Sequence, residues 1–374
     1  MFTIYTTSDC LLNLAFDYVE DNCNDWQKVM QMSKIIFHGD NLFKGDCASD
    51  DLPEESQIVL KLSQCGAEFN YDVSDYIPSI KNAPERVLEH PDSVFLLDVD
   101  SETAKKITEN FGVICHPFNE LDCCELTRDG YDRRLKRDKD VQWKDILDPK
   151  RIAPSNSMIL IDRNYFANVE YSTGELYAFS DLPKFLDAFL PKSLSCTYDI
   201  LLVFDKKDYV DRRRKKSYDP YGCVRDDNRK VKFKGLTLEE LKGRLQQIAD
   251  SIDRPYDINI ECLPVESHAL YSKDDFTYNP HNDTHDRKIV TSYNIIETTF
   301  AIALSGTQGA RANQKVSINL SHSKCLIDSY QTPPINDIED ARNVVARLLS
   351  QNNVTVYPTN RLIRPSLSLM TKVC

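Results

Sequence analysis

An imidazole and two cations stand together at His285-Asp286-Arg287-Lys288, and Ile289-Val290 and Tyr293-Asn294-Ile295-Ile296 follow at once. The charged groups run straight into apolar, strand-like sequence, which sets them at the mouth of a sheet. Cations there can hold an anion. Arg287 suits a phosphate because its planar guanidinium can bind two oxygens at once. The residues alone leave open whether such a phosphate is cut or gripped.

A second group of candidates lies upstream. Residues 205–234 hold 12 Lys and Arg against 6 Asp, a net of +6. Arg212-Arg213-Arg214-Lys215-Lys216 is the densest part, and Arg225, Arg229, Lys230 and Lys232 continue it. Tyr209, Tyr218, Tyr221 and Phe233 are interleaved. Cations displace counterions from a phosphate backbone, and aromatic rings stack on exposed bases, so this composition fits nucleic acid. It also fits an acidic protein surface, the first half of the same chain included, or a merely solvated loop. His281 and His285 are four apart with Asp283 and Asp286 nearby. That spacing serves a metal best on a helix, whereas Pro280, Asn282 and Asp283 mark a loop, so these imidazoles read as hydrogen-bonded surface groups.

The carboxylates of the first half form a third group. Asp98 and Asp100 follow the apolar run Phe95-Leu96-Leu97, Asp9 follows the opening strand, and Glu54 or Glu55 opens a helical stretch.

The elements that must position these groups follow from pattern and size. A chain of 374 residues points to two domains. No run approaches 18 apolar residues, so no membrane span is expected, and the opening Met1-Phe2-Thr3-Ile4-Tyr5 is no secretion signal. The 12 cysteines are scattered without a CxxC pair and read as reduced thiols of a cytoplasmic protein. Charge divides the chain. Residues 1–150 carry 16 Lys and Arg against 30 Asp and Glu, and residues 151–374 carry 30 against 28. Any polyanion should therefore prefer the second half.

The boundary is placed near residue 150, in the Pro-containing stretch Asp148–Asn156, after a charged helix-prone segment from Tyr131 to Lys144. In residues 1–150 strands are expected at 3–6, 35–37, 94–97 and 113–115. Helices are expected at 11–19, at 54–65 and from Ser101 to a left-handed cap at Gly112. In residues 151–374 strands are expected at 158–161, 198–204, 258–262, 288–296, 316–319 and 354–357. Helices are expected at 181–190, at 337–349 and from a capping box at Thr237-Leu238-Glu239-Glu240. Strands that alternate with helices imply parallel pairing with both faces covered.

The His285-Asp286-Arg287 block, with Met158-Ile159-Leu160-Ile161-Asp162-Arg163 and Tyr165 upstream, resembles the phospholipase D-like superfamily, in particular the C-terminal domain of MIT-domain proteins. The resemblance covers about residues 151–330. It implies a mixed α/β sheet, with His285 attacking phosphorus and a cation holding the phosphate. Active members carry His-x-Lys-x4-Asp. Here Arg287 replaces the Lys and Ser292 the Asp, so the resemblance is to a degenerate form. His322-Ser323-Lys324 is a second His-x-Lys, with Ser329 in the final slot. The run from Phe95 to Ile114 with Pro117-Phe118-Asn119-Glu120-Leu121 is similar to the tail of PIN-like nucleases, which implies a metal held by Asp9, Glu54, Asp98 and Asp100.

The fold expected is thus α/β, a PIN-like, Rossmannoid sheet followed by a phospholipase D-like mixed sheet. The function expected is nucleic-acid binding or assembly, with His285 and Arg287 as the catalytic pair of any active form. Nucleic acid, complex subunits or a second copy are the expected partners. No cofactor is expected beyond Mg2+ or Mn2+ in a PIN-like site. A bacterial defence complex is one setting for such a protein. The alternatives are a metal-dependent nuclease, a phospholipase D-type phosphodiesterase, or a binder of acidic lipid, which the net acidity disfavours.

Overall fold

The computed structural model describes residues 2–16, 25–30, 33–42, 63, 66–118, 126, 130–135, 142–162, 165–166, 176–205, 237–265, 287–298, 302, 314–320, 338–343 and 345–346. It is a mixed α/β structure built on two sheets.

The first sheet holds β1 (Phe2–Thr7), β2 (Ser33–His38), β3 (Glu68–Tyr71), β4 (Val94–Leu97) and β5 (Ile114–Pro117), in the order β3-β2-β1-β4-β5. Every pair is parallel. Parallel strands need helical crossovers, which bury both faces. Ile4, Ile35, Val94 and Leu96 pack on one side with Trp26, Val29 and Met30 of α2 (Asp25–Met30) and with Cys10 and Leu11 of α1 (Ser8–Phe16). Tyr5, Phe95 and Leu97 pack on the other with Tyr76 and Ile77 of α3 (Tyr76–Ser79) and with Ala104, Ile107 and Phe111 of α4 (Ser101–Phe111). The start of α4 is fixed by Asp100, whose carboxylate accepts from Thr103 N at 2.7 Å, and its end by Gly112 at φ 63°.

The second sheet has seven strands: β6 (Tyr131–Leu135), β7 (Ser157–Ile161), β8 (Tyr198–Asp205), β9 (Ile258–Val265), β10 (Arg287–Val290), β11 (Asn294–Thr298) and β12 (Gln314–Leu320). Their order is β6-β12-β11-β10-β7-β8-β9, parallel from β7 to β9 and antiparallel elsewhere. One face is covered by α5 (Trp143–Ile146), α6 (Tyr177–Phe189) and α7 (Leu238–Ser251). The start of α7 is the expected capping box, with Glu240 N donating to Thr237 Oγ1 at 3.1 Å and Thr237 N to the Glu240 carboxylate at 2.6 Å. Ile338, Ala341 and Val345, all in helical conformation, cover the other face.

Two expectations change. Residues from Tyr131 begin strand β6, not a helix, and pair with β12. β6 and α5 belong to the second sheet and its core. The stretch 288–296 is a hairpin, β10 and β11, with its turn at Thr291–Tyr293. The expected helix at 54–65 and strand at 354–357 lie outside the described residues, apart from Ser63 in helical conformation.

The sheets meet amino edge to amino edge. Tyr293 Oη, in the turn of the hairpin, donates to Ser93 O at 2.6 Å and accepts from Ile114 N at 3.1 Å. Ser292 Oγ donates to Pro91 O, Asn156 Nδ2 to Phe111 O and Ser195 N to Asn110 O. Pro91 and Ser93 precede β4, residues 110–112 precede β5, and Asn156 and Ser195 precede β7 and β8. The two carboxyl edges therefore point away from the contact. No helix among the described residues is long and apolar enough to cross a membrane.

Candidate functional site

The carboxyl edge of the second sheet gathers the chemistry. β7, β8 and β9 run parallel and end there at Ile161, Asp205 and Val265. β10 runs against β7 with Lys288 opposite Ile161, so Arg287 begins β10 at that same edge. The basic segment leaves from the end of β8, and the His285 segment arrives at the start of β10. In open α/β sheets ligands sit outside the carboxyl ends of the strands. His285, Arg212–Lys216, Arg225, Arg229, Lys230 and Lys232 themselves lie outside the described residues.

Arg287 is not displayed to a ligand. Its side chain is 9% exposed, and its Nε donates to Asp162 Oδ1 at 3.0 Å. Asp162 follows β7 and is fully buried. Its Oδ2 accepts from Ile302 N at 3.0 Å, and its own N donates to Val203 O. Two charges out of water are tolerable only when they face each other with further hydrogen bonds, and Asp162 supplies both conditions. The guanidinium thus ties the start of β10 to the end of β7. Arg287, expected as a phosphate ligand, is buried and paired with Asp162 in this structure. Lys288 is partly exposed and pairs with Glu297 of β11 at 3.2 Å.

Ser292, in the slot where the motif has its Asp, sits at the other end of β10. β10 alone spans about 10 Å from Arg287 to Val290, and Ser292 lies beyond it in the turn. Its hydroxyl is spent on Pro91 O in the contact between the sheets. Arg287 and Ser292 therefore cannot serve one centre.

The first-sheet carboxylates do stand at its carboxyl edge. Asp9, Asp98 and Asp100 are exposed just past β1 and β4. Asp100, however, spends Oδ1 on Thr103 N and Oδ2 on Thr103 Oγ1, bonds that hold its carboxyl below the ordinary carboxylate range. No group of three or more His, Cys, Asp or Glu side chains among the described residues could hold a metal ion, and Glu54 lies outside them. The nearby Cys10 thiol is pushed up by burial, against hydrogen bonds such as that from Thr7 Oγ1 at 3.0 Å, so it is no ready nucleophile.

Asp162 is the residue that pattern reading left without a role. It was in view at the end of an apolar run, and a buried Arg demands such an acid. Comparisons with family models, with curated proteins and with solved structures return no match.

Proposed function

We propose that the carboxyl edge of the second sheet is a nucleic-acid-binding surface, and that this protein grips a phosphodiester chain without cleaving it. One observation carries the reading: the register brings the end of β8, where the basic segment departs, and the start of β10, where the His285 segment arrives, to a single edge. Twelve cations interleaved with aromatics then leave the fold where α/β sheets take their ligands. Binding without cleavage is supported by the commitment of Arg287 to Asp162 and of Ser292 to Pro91 O, at opposite ends of β10.

The test is fluorescence anisotropy with labelled single- and double-stranded RNA and DNA across a salt series. The expected result is binding whose log K falls linearly with log salt. Replacing Arg212–Lys216 by Gln should make the slope shallower by about 0.9 for each duplex-DNA phosphate that is no longer neutralised. The same probes should stay intact with or without Mg2+ or Mn2+. Binding indifferent to salt, or none, overturns the proposal. Cleavage abolished by Asp98→Ala would make the first sheet a nuclease instead.

A further inference from the structure

We infer that β3, at the outer edge of the first sheet, is a docking edge for an extended, basic segment of a partner protein, which adds to the sheet as one more strand. The inference is independent of the nucleic-acid reading, which concerns the other sheet.

β3 is the last strand of its sheet among the described residues. It pairs with β2 on its inner side, where Asp72 N, just past the strand, donates to Phe37 O at 2.8 Å. Successive residues of a strand turn their backbone groups to opposite edges, so Phe69 and Tyr71 turn theirs outward. The side chains of this segment stay at the surface: Glu68, Asn70, Tyr71 and Val73 are exposed. Tyr71 at 36% and Val73 at 81% are the exposed large hydrophobics of the described residues. Both lie on or just past β3.

Proteins guard sheet edges with Pro, with Lys or with cover. At the opposite edge of the same sheet, β5 is buried throughout and ends in Pro117. β9, at an edge of the second sheet, carries Pro264. β3 reads Glu68-Phe69-Asn70-Tyr71, with neither Pro nor Lys. Such an edge suits strand addition, in which main-chain hydrogen bonds give affinity and side chains give specificity.

Charge selects the occupant. Tyr71 Oη donates to Gly39 O at 2.8 Å, beside the exposed Asp40. Glu68 opens β3, and Asp72 and Asp75 follow it. The cations are fewer. Lys34 is the register partner of Glu68, and Arg86 reaches Asp75 at 3.9 Å while Glu89 holds it at 2.9 Å. A second copy paired here would bring the same acids against these, and a nucleic acid would be repelled as well. A basic strand with apolar residues at alternate positions instead meets the acids with its cations, and Tyr71 and Val73 with its apolar side. The competing explanation is that Val73 is one of the scattered apolar residues that every surface carries.

The experiment uses the full chain and a fluorescein-labelled peptide of about six residues, alternately Lys and Val, long enough to cover β3. Fluorescence anisotropy should show binding. A peptide of equal charge with Pro in place of its middle Val should bind about tenfold more weakly or worse, because Pro supplies no ladder donor. The Glu/Val counterpart should not bind. Val73→Lys should weaken the Lys/Val peptide by about tenfold with an unchanged melting temperature, since the side chain is already at the surface. Equal binding of the two Lys peptides would mean that charge alone attracts them, and it overturns the inference without recourse to any variant. Unchanged affinity in Val73→Lys overturns it too, as does failure of the Lys/Val peptide to bind. A dimer in sedimentation that Val73→Lys dissolves, with no peptide bound, gives the edge to a second copy instead.

Discussion

Arg287 shows how one partner decides the role of a charge. Exposed, it would be a phosphate ligand; facing Asp162 in the interior, it is a structural strut. Removing either member leaves the other buried and unmatched, so Arg287→Ala or Asp162→Ala should each cost about 3–5 kcal/mol in denaturant unfolding. The apolar exchange Arg287→Met/Asp162→Leu should cost far less and leave nucleic-acid affinity unchanged. A loss of affinity in a folded double variant would return Arg287 to the binding surface. His90 offers a pH test. Its ring lies 4.7 Å from Tyr5 and 5.1 Å from Tyr76, and burial lowers its pKa against the pull of Asp92, Glu89 and Asp72. The unfolded chain therefore takes up this proton first as pH falls. The stabilising contribution is full above about 6.5 and is lost as pH drops below that value. His90→Gln should flatten the fall in melting temperature on that acid side, and an unchanged profile would assign the fall to other groups.

At the scale of elements, the hairpin of β10 and β11 does two jobs at once. One end carries Arg287 at the carboxyl edge. The other drives Tyr293 into the core of the first sheet, where it packs in a cluster with Ile4, Val94 and Ile114. Tyr293→Phe keeps the ring but strands Ile114 N without its acceptor, a loss of about 1–3 kcal/mol. Circular dichroism melts would show it, and a neutral result would mean that water replaces the hydroxyl. The hairpin also explains what could and could not be read in advance. Local signals were sufficient for α4 and α7, because Asp100, Gly112 and the Thr237–Glu240 box lie within their own turns. They failed for β6: an edge strand with Asp132 and Arg133 exposed has little alternation to betray it. They failed for Arg287 because its partner is 125 residues away. The carboxyl-edge location of the cations was legible only as strand-end chemistry, since convergence of β7, β8 and β10 depends on pairing that no local pattern encodes.

At the scale of the whole molecule, the junction of amino edges gives the protein two unlike ends. Asp9, Asp40, Asp75, Asp98 and Asp100 are exposed at or just beyond the carboxyl edge of the first sheet. The strand ends from which the basic segment departs face the other way. On the proposed reading the cations stay at that edge, and such a separation of charge is a permanent dipole whose long-range field acts before any contact is made. An incoming polyanion would be repelled from one tip and drawn to the other, so the protein would swing like a compass needle during approach and arrive already pointing the right way.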